Sequence, residues 1–244
     1  MKAIVLCAGR GRRLGQAGPK CLCDVGGRAL LARTLDALAA VGVREVVLVV
    51  GYEQGLVRAA AAGRAGVSFV ENPRWERGSV LSLWSARDHL DGREAALVMD
   101  ADVLFPREAL RRLVHGAPPT ALLMDRSATP SGEEMMLAAR GGRVHRIARR
   151  VDPAAYDALG EGVGFLKVAP ADQAALVEAL EGMVAAGEDD RDYEDAVDRF
   201  LAGAQAGFED VTDLPWTEID FEVDLTRARE EVLPAIERLD AAQA

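Results

Sequence analysis

Along the first hundred residues, short continuous apolar runs alternate with stretches whose apolar residues recur at helical spacing. The runs at residues 3–6, "EVVLVV" at 45–50, "GVSFVE" at 66–71 and "EAALVMDAD" at 94–102 read as strands. Between them, Leu31, Leu35 and Leu38 mark a helix that Gly42 ends, an alanine-rich helix covers 54–62, and "SVLSLWSARDHL" marks a third. Strands alternating with helices predict a doubly wound α/β fold, Rossmann-like, with a mixed but mostly parallel sheet and helices on both faces.

The second half has a different rhythm. "TALLMD", "EMMLAA", "GRVHRIA" and "GVGFLKV" are strand-like, and no full helix separates the first three. They predict mixed or antiparallel strands that extend the sheet. Two helices follow, over 171–187 and 191–207, and then a last helix with Leu225, Ala228, Val232, Ile236 and Leu239 on one face and a kink at Pro234. Repeats, low-complexity tracts and linkers are absent from the sequence, so the 244 residues read as a single domain.

Composition narrows the picture. Half the residues are hydrophobic and the formal charge is -10, which argues against nucleic-acid binding. With no apolar run of about 18 residues and only a short one behind Met1-Lys2, neither a membrane span nor a signal peptide is expected, and the compartment expected is cytoplasmic. Cys7, Cys21 and Cys23 have no nearby His and do not match zinc spacing; they read as buried reduced thiols.

Against that acidic background, residues 1–28 hold six Lys/Arg and one acid, Asp24. This cationic island follows the first strand, at Gly9-Arg10-Gly11-Arg12-Arg13-Leu14, and is a candidate anion site, with a solvated loop as the alternative. The third glycine of a dinucleotide fingerprint is missing, and Gly15, Gly18, Pro19, Gly26 and Gly27 delay any helix until about Ala29. Such a long loop suits wrapping a triphosphate. Lys20 is one of three lysines, beside Lys2 and Lys167, and fits a point-charge phosphate contact. Arg13 and Lys20 are both expected to be exposed.

Two acidic stretches complete the inventory. Asp100 and Asp102 end an apolar strand where open α/β sheets bind ligands, and such a carboxylate pair suits Mg²⁺; a plain strand-end turn is the alternative. In "LPWTEIDFEVDL", period-two alternation predicts Glu218, Asp220, Glu222 and Asp224 on one face of a short strand. Asp220 is a metal candidate, and Asp224 is a structural N-cap for the last helix. A charged outer face of an edge strand explains the alternation equally well.

Taken in order, "KAIVLCAGRGRRL", "PKCLCDVGGRALLARTLDAL", "VVLVVGY", "NPRWERGSVLSLWSAR", "VMDADV" and "WTEIDFEVDL" resemble the sugar-phosphate-type nucleotidyltransferases. The resemblance is nearest to cytidylyltransferases that activate phosphocholine, aminoethylphosphonate or inositol phosphate. It implies a nucleotide-binding half, 1–115, and an acceptor-binding half with the C-terminal helix, 116–244. It also implies that Ala8, Gly9 and Gly11 wrap the nucleotide, that Arg13 and Lys20 act on its phosphates, and that Ser79 and Ser82 line the base and ribose pocket with Asp100 at the nucleotide. Asp102 and Asp220 would hold Mg²⁺, with Glu218 beside them.

At the acceptor end, Met135 and Asp192 stand where choline-type relatives carry aromatics, with Tyr193, Tyr156 and Trp216 as partial substitutes in a cation–π cage. Glu133, Glu134, Asp192, Glu194 and Asp195 suit a primary amine at least as well. The implied partners are CTP and a small phosphorylated or phosphonylated alcohol, without nucleic acid or membrane; a homodimer is left open. The implied reaction is in-line attack of the acceptor oxyanion on the α-phosphorus of CTP, releasing pyrophosphate. His89, His115 and His145 have no assigned role, and Trp75 and Trp84 are expected to pack. Alternatives are a sugar- or inositol-phosphate nucleotidyltransferase, a metal-dependent glycosyltransferase, which leaves the arginine-rich loop unexplained, and a non-catalytic nucleotide-binding regulator.

Overall fold

Strand β1 (Lys2–Cys7) shows how the core is divided. Its successive side chains point to opposite sheet faces, so Ile4 joins one apolar cluster while Ala3 and Val5 join another. The computed structural model describes residues 1–15, 18–128 and 132–242. After β1 come α1 (Leu30–Ala40), β2 (Glu45–Val50), α2 (Gln54–Ala60), β3 (Val67–Glu71), α3 (Ser79–Ser85) and β4 (Ala96–Asp100). Then follow β5 (Val103–Leu104), α4 (Arg107–His115), β6 (Ala121–Asp125), β7 (Met136–Arg140), β8 (Arg143–Ala148) and β9 (Ala158–Val168). The chain ends with α5 (Gln173–Ala185), α6 (Tyr193–Leu201), β10 (Gly207–Asp210), β11 (Thr217–Glu218), α7 (Glu222–Arg227) and α8 (Leu233–Ala242).

The main sheet runs β10-β6-β9-β4-β1-β2-β3, with β7 also pairing β9 and β8 pairing β7. β9 is antiparallel to both its neighbours β4 and β6, whereas β1–β2, β1–β4, β2–β3 and β6–β10 are parallel. The predicted mixed, mostly parallel sheet is therefore present. Helices cover both faces: α1 and α4 supply Leu31, Leu38 and Leu110 to one cluster, and α3, α5 and α6 supply Leu81, Leu180 and Phe200 to the other. The C-terminal ends of β1 and β4 open at one edge, and the first half of β9 returns past them.

Three expectations need correction. The helix predicted over 191–207 stops at Leu201, and Gly207–Asp210 forms edge strand β10 beside β6. The period-two acids of 218–224 do not lie on one strand: β11 is two residues long, and α7 begins at Glu222. Asp224 is the third residue of α7, not its N-cap, although its role is structural. Its Oδ2 accepts the backbone N–H groups of Asp220 (3.1 Å) and Phe221 (2.9 Å), which a helix start leaves without partners. At the predicted kink, a π-helical turn over Ala228–Val232 precedes Pro234, whose ring nitrogen cannot donate.

A small satellite core sets the position of the loop after β1. Leu14, Cys23 and Val25 pack with Ile219 of the C-terminal turn and with Leu225, Leu233 and Ile236 of the last helices. Segments some two hundred residues apart are thus fastened together at the open sheet edge. Among the described residues no helix is long and apolar enough to cross a membrane.

Gly164 lets β9 pass close to that edge. Its φ is +77°, and an added Cβ would run into the Asp100 carboxylate and lie 3.2 Å from Asp100 Cβ. Gly164→Ala is expected to cost about 1–3 kcal/mol in urea unfolding. A loss below about 0.5 kcal/mol would show that β9 tolerates a side chain there.

Candidate active site

A cavity of about 720 Å³ opens at the strand ends, within the usual size of small-ligand sites. Arg13 and Lys20 line it from the loop after β1, Asp100 and Asp102 from the end of β4, and Glu161 to Gly164 from β9. The start of α6 adds Asp192, Tyr193 and Glu194, and the C-terminal turn adds Glu218, Asp220 and Phe221. A second chamber of about 460 Å³ shares Glu133, Glu134, Glu161, Glu218, Asp220 and Phe221, and reaches on to Asp125 and Trp216.

Lys20 forms the central contact. Its ammonium donates to Asp102 Oδ2 at 2.7 Å and to Asp220 Oδ1, and Glu218 Oε1 lies 3.8 Å away. The expected exposure of Lys20 is wrong: its side chain is only 12% accessible. Burial opposes its charge, but Asp102 and Asp220 outweigh that and hold its pKa above the ordinary lysine value. Gly11 makes the placement possible, having φ +66° and leaving room where a Cβ would sit 2.7 Å from Lys20 Cβ. Arg13 is 60% exposed, as expected; its guanidinium lies 3.6 Å from Asp220 and over the Phe221 ring. Ala8 and Gly9 do not line the cavity; the Ala8 carbonyl accepts the Tyr52 N–H at 3.0 Å.

The other sequence-predicted residues divide. Ser79 lines the cavity and accepts the Tyr193 backbone N–H, but Ser82 is buried, takes a hydrogen bond from Asn72 and is not among the lining residues. Asp100 accepts a hydrogen bond from the buried Tyr193 hydroxyl at 2.9 Å, so it faces the α6 side of the cavity. Met135 lines the cavity, and Asp192 is paired with Arg149 at 2.7 Å. Glu133, Glu134 and Glu194 line it too, whereas Asp195 does not. Of the three aromatic substitutes only Tyr193 lines the main cavity: Tyr156 packs near His145 and Arg140, and Trp216 donates to Asp125 in the second chamber. None of the three histidines lines either chamber. Trp75 and Trp84 pack against the core, as expected. Arg149 and Glu161 escaped sequence reading, since neither sits in a motif.

All three cysteines are buried and free. Burial pushes the Cys23 thiol up to about 11, and a hydrogen bond with Cys21 raises Cys7. They are poor nucleophiles. Asp102, Glu218 and Asp220 each offer a carboxylate oxygen, all within 4.8 Å of one another. Asp102 Oδ1 is buried without a hydrogen-bond partner. A hard dication with oxygen ligands fits that donor set.

Crowding of acids leaves a titration signature. Burial, then Glu134 and Asp125, push Glu161 up to about 7; burial, then Asp192 and Glu218, push Glu194 up to about 8. Burial with Asp102 pushes Glu218 up to about 8, although solvent reaches half of its side chain and screens it. Asp100 is raised well above the usual carboxylate range by burial, Glu194 and Asp102. The folded state therefore binds more protons than the unfolded chain between about pH 4.5 and 8, and stability falls as pH rises through that window. In chelator, Tm is expected to decline from pH 5.5 to 8.5, with a shallower decline in Glu161→Gln/Glu194→Gln. A Tm that is flat or rises with pH, or a double variant with the wild-type slope, would contradict these shifts.

Comparison with known proteins gives the family and the fold. Residues 3–191 match the MobA-like NTP transferase domain. The CMP-5'-(3-aminopropyl)phosphonate synthase of Streptomyces rubellomurinus is 35% identical over 234 residues, covering 90% of this chain and 37% of that protein. The bifunctional IPC transferase and DIPP synthase of Rubrobacter xylanophilus is 34% identical over 238 residues, covering 95% and 52%. The chain thus spans between about a third and a half of the length of these relatives. Its fold is shared with the inositol-1-phosphate CTP transferase of T. maritima (TM-score 0.74, 21% identity, 95% and 97% covered). It is likewise shared with the CTP:phosphocholine cytidylyltransferase of Streptococcus pneumoniae (TM-score 0.75, 19% identity, 100% and 99% covered). The resemblance to nucleotidyltransferases read from the sequence is borne out: the chain belongs to the family of MobA-like NTP transferase domains.

Proposed function

We propose that this chain is a cytidylyltransferase that moves CMP from CTP to a small phosphonylated or phosphorylated alcohol with an amine head, releasing pyrophosphate. The observation that carries the reading is the meeting of Lys20 and Arg13 with Asp102, Asp220 and Glu218 at the strand ends, in a cavity rich in acids. The Streptomyces relative is named for a CMP-aminopropylphosphonate product, and its similarity covers 90% of this chain.

The chemistry asks little of the chain beyond charge and position. The acceptor oxyanion is itself the nucleophile, being mostly deprotonated at pH 7 because its second pKa is about 6. It attacks the α-phosphorus of CTP in line, the P–O bond to the β-phosphate breaks, and pyrophosphate leaves with the bonding electrons. Lys20 and Arg13 neutralise the triphosphate. Ser79 sits at the base and ribose end. Asp102 and Asp220, with Glu218 beside them, would hold Mg²⁺, which when bound supplies positive charge to the phosphates.

The acceptor end favours a primary amine. Glu133, Glu134 and Glu194 line it, and Met135 and Asp192 leave a trimethylated head with fewer aromatic faces than a full cage. Inositol has no cation for those carboxylates. The test is a panel of aminoalkylphosphonates, phosphoethanolamine, phosphocholine and inositol phosphate against four NTPs, with pyrophosphate release measured. CTP with an amine-headed acceptor is expected to give the highest kcat/KM, and Lys20→Ala to lower it roughly 100-fold. No turnover of any amine-headed acceptor, or full activity in Lys20→Ala, would overturn the reading.

A further inference from the structure

The ammonium of Lys20 stands inside the one set of three carboxylates that, among the described residues, could hold a cation. It donates to Asp102 and Asp220 and lies 3.8 Å from Glu218. Those same three residues place their oxygens within 4.8 Å of one another. The side chain is not resting there by accident of a loose surface: it is mostly buried, and its stem packs on Gly11. Asp102 keeps one buried oxygen that the ammonium does not use, so a cation of higher charge would find a donor there that Lys20 leaves idle.

A dication and an ammonium cannot both occupy so small a donor set. Their repulsion in a half-buried site is only weakly screened. We propose that Lys20 and a divalent cation are alternative occupants of the Asp102–Glu218–Asp220 site, and that Lys20 holds it until an anionic ligand draws the ammonium away. Metal binding is then weak on its own and strengthened by a phosphate-bearing ligand, since each ligand favours the arrangement the other needs. The nature of that anion, a nucleoside triphosphate, rests on the proposed function; the competition itself is a property of the carboxylates and the lysine.

Mn²⁺ alone is the probe, followed by electron paramagnetic resonance without nucleotide. Lys20→Met is expected to bind Mn²⁺ at least about tenfold more tightly than the wild type, because removing the ammonium removes its rival. Asp102→Asn should weaken binding in either background. The wild type offers a second readout that does not depend on that variant folding: with three lysines, ¹⁵N-labelled side chains give three signals. Saturating Mg²⁺ should move the Lys20 signal and leave those of Lys2 and Lys167. Equal Mn²⁺ affinity in wild type and folded Lys20→Met, binding unaffected by Asp102→Asn, or an unmoved Lys20 signal at Mg²⁺ saturation would each overturn the proposal. None of these readouts needs turnover, so a chain that binds as described but transfers no CMP would count against the proposed function alone.

Discussion

The ion pairs of Lys20 with Asp102 and Asp220 join three parts of the chain that are 82 and 200 residues apart in sequence. One end is the loop after the first strand, one is the end of the central strand β4, and one is the turn before the last helices. Their approach would be unfavourable without the lysine, since Asp102, Glu218 and Asp220 would then face each other across a few ångströms of half-buried space. Apolar packing helps: the satellite core under Leu14, Cys23 and Ile219 fixes the backbone that carries both signs of charge. The arrangement is an ion cluster built onto a hydrophobic clamp.

This constraint also explains why the acids crowd the cavity. Among the described residues, the cations lining the main chamber, Arg13, Lys20 and Arg149, are each tied to a carboxylate: Asp220, Asp102 with Asp220, and Asp192. Glu161 and Glu194 are raised first by burial and then by neighbouring carboxylates, which Arg227 and Arg149 only partly offset. A surplus of negative charge is a poor seat for a nucleotide by itself. In the proposed reaction a dication and an amine head would enter with the phosphates and supply the missing positive charge.

Much of this was legible in the sequence because the signals are local. The apolar run into Asp100 and Asp102, the glycines after β1 and the alternation of strands with helices all declare themselves within a few residues. What was missed depends on distant neighbours. Strand β10 is four residues long and exists because β6 offers an edge; the same residues, "GFED", carry no strand signal of their own. The acids of 218–224 alternate in sequence, but the hydrogen bonds of Asp224 to Asp220 and Phe221 start a helix and break the alternation. Ser82 turned inward to Asn72, and Lys20 turned inward to carboxylates that sequence spacing cannot place beside it. The same holds for Tyr193, whose hydroxyl reaches Asp100 from 93 residues away.

Lys20 and the Asp220 carboxylate act as one unit across 200 residues of sequence. A double-mutant cycle on unfolding free energy, with Lys20→Met, Asp220→Asn and both together in chelator, measures that directly. A coupling of at least about 1 kcal/mol is expected, with the double variant less destabilised than the sum of the singles. Additivity within about 0.3–0.5 kcal/mol would mean that the two side chains do not sense each other, and would contradict the account.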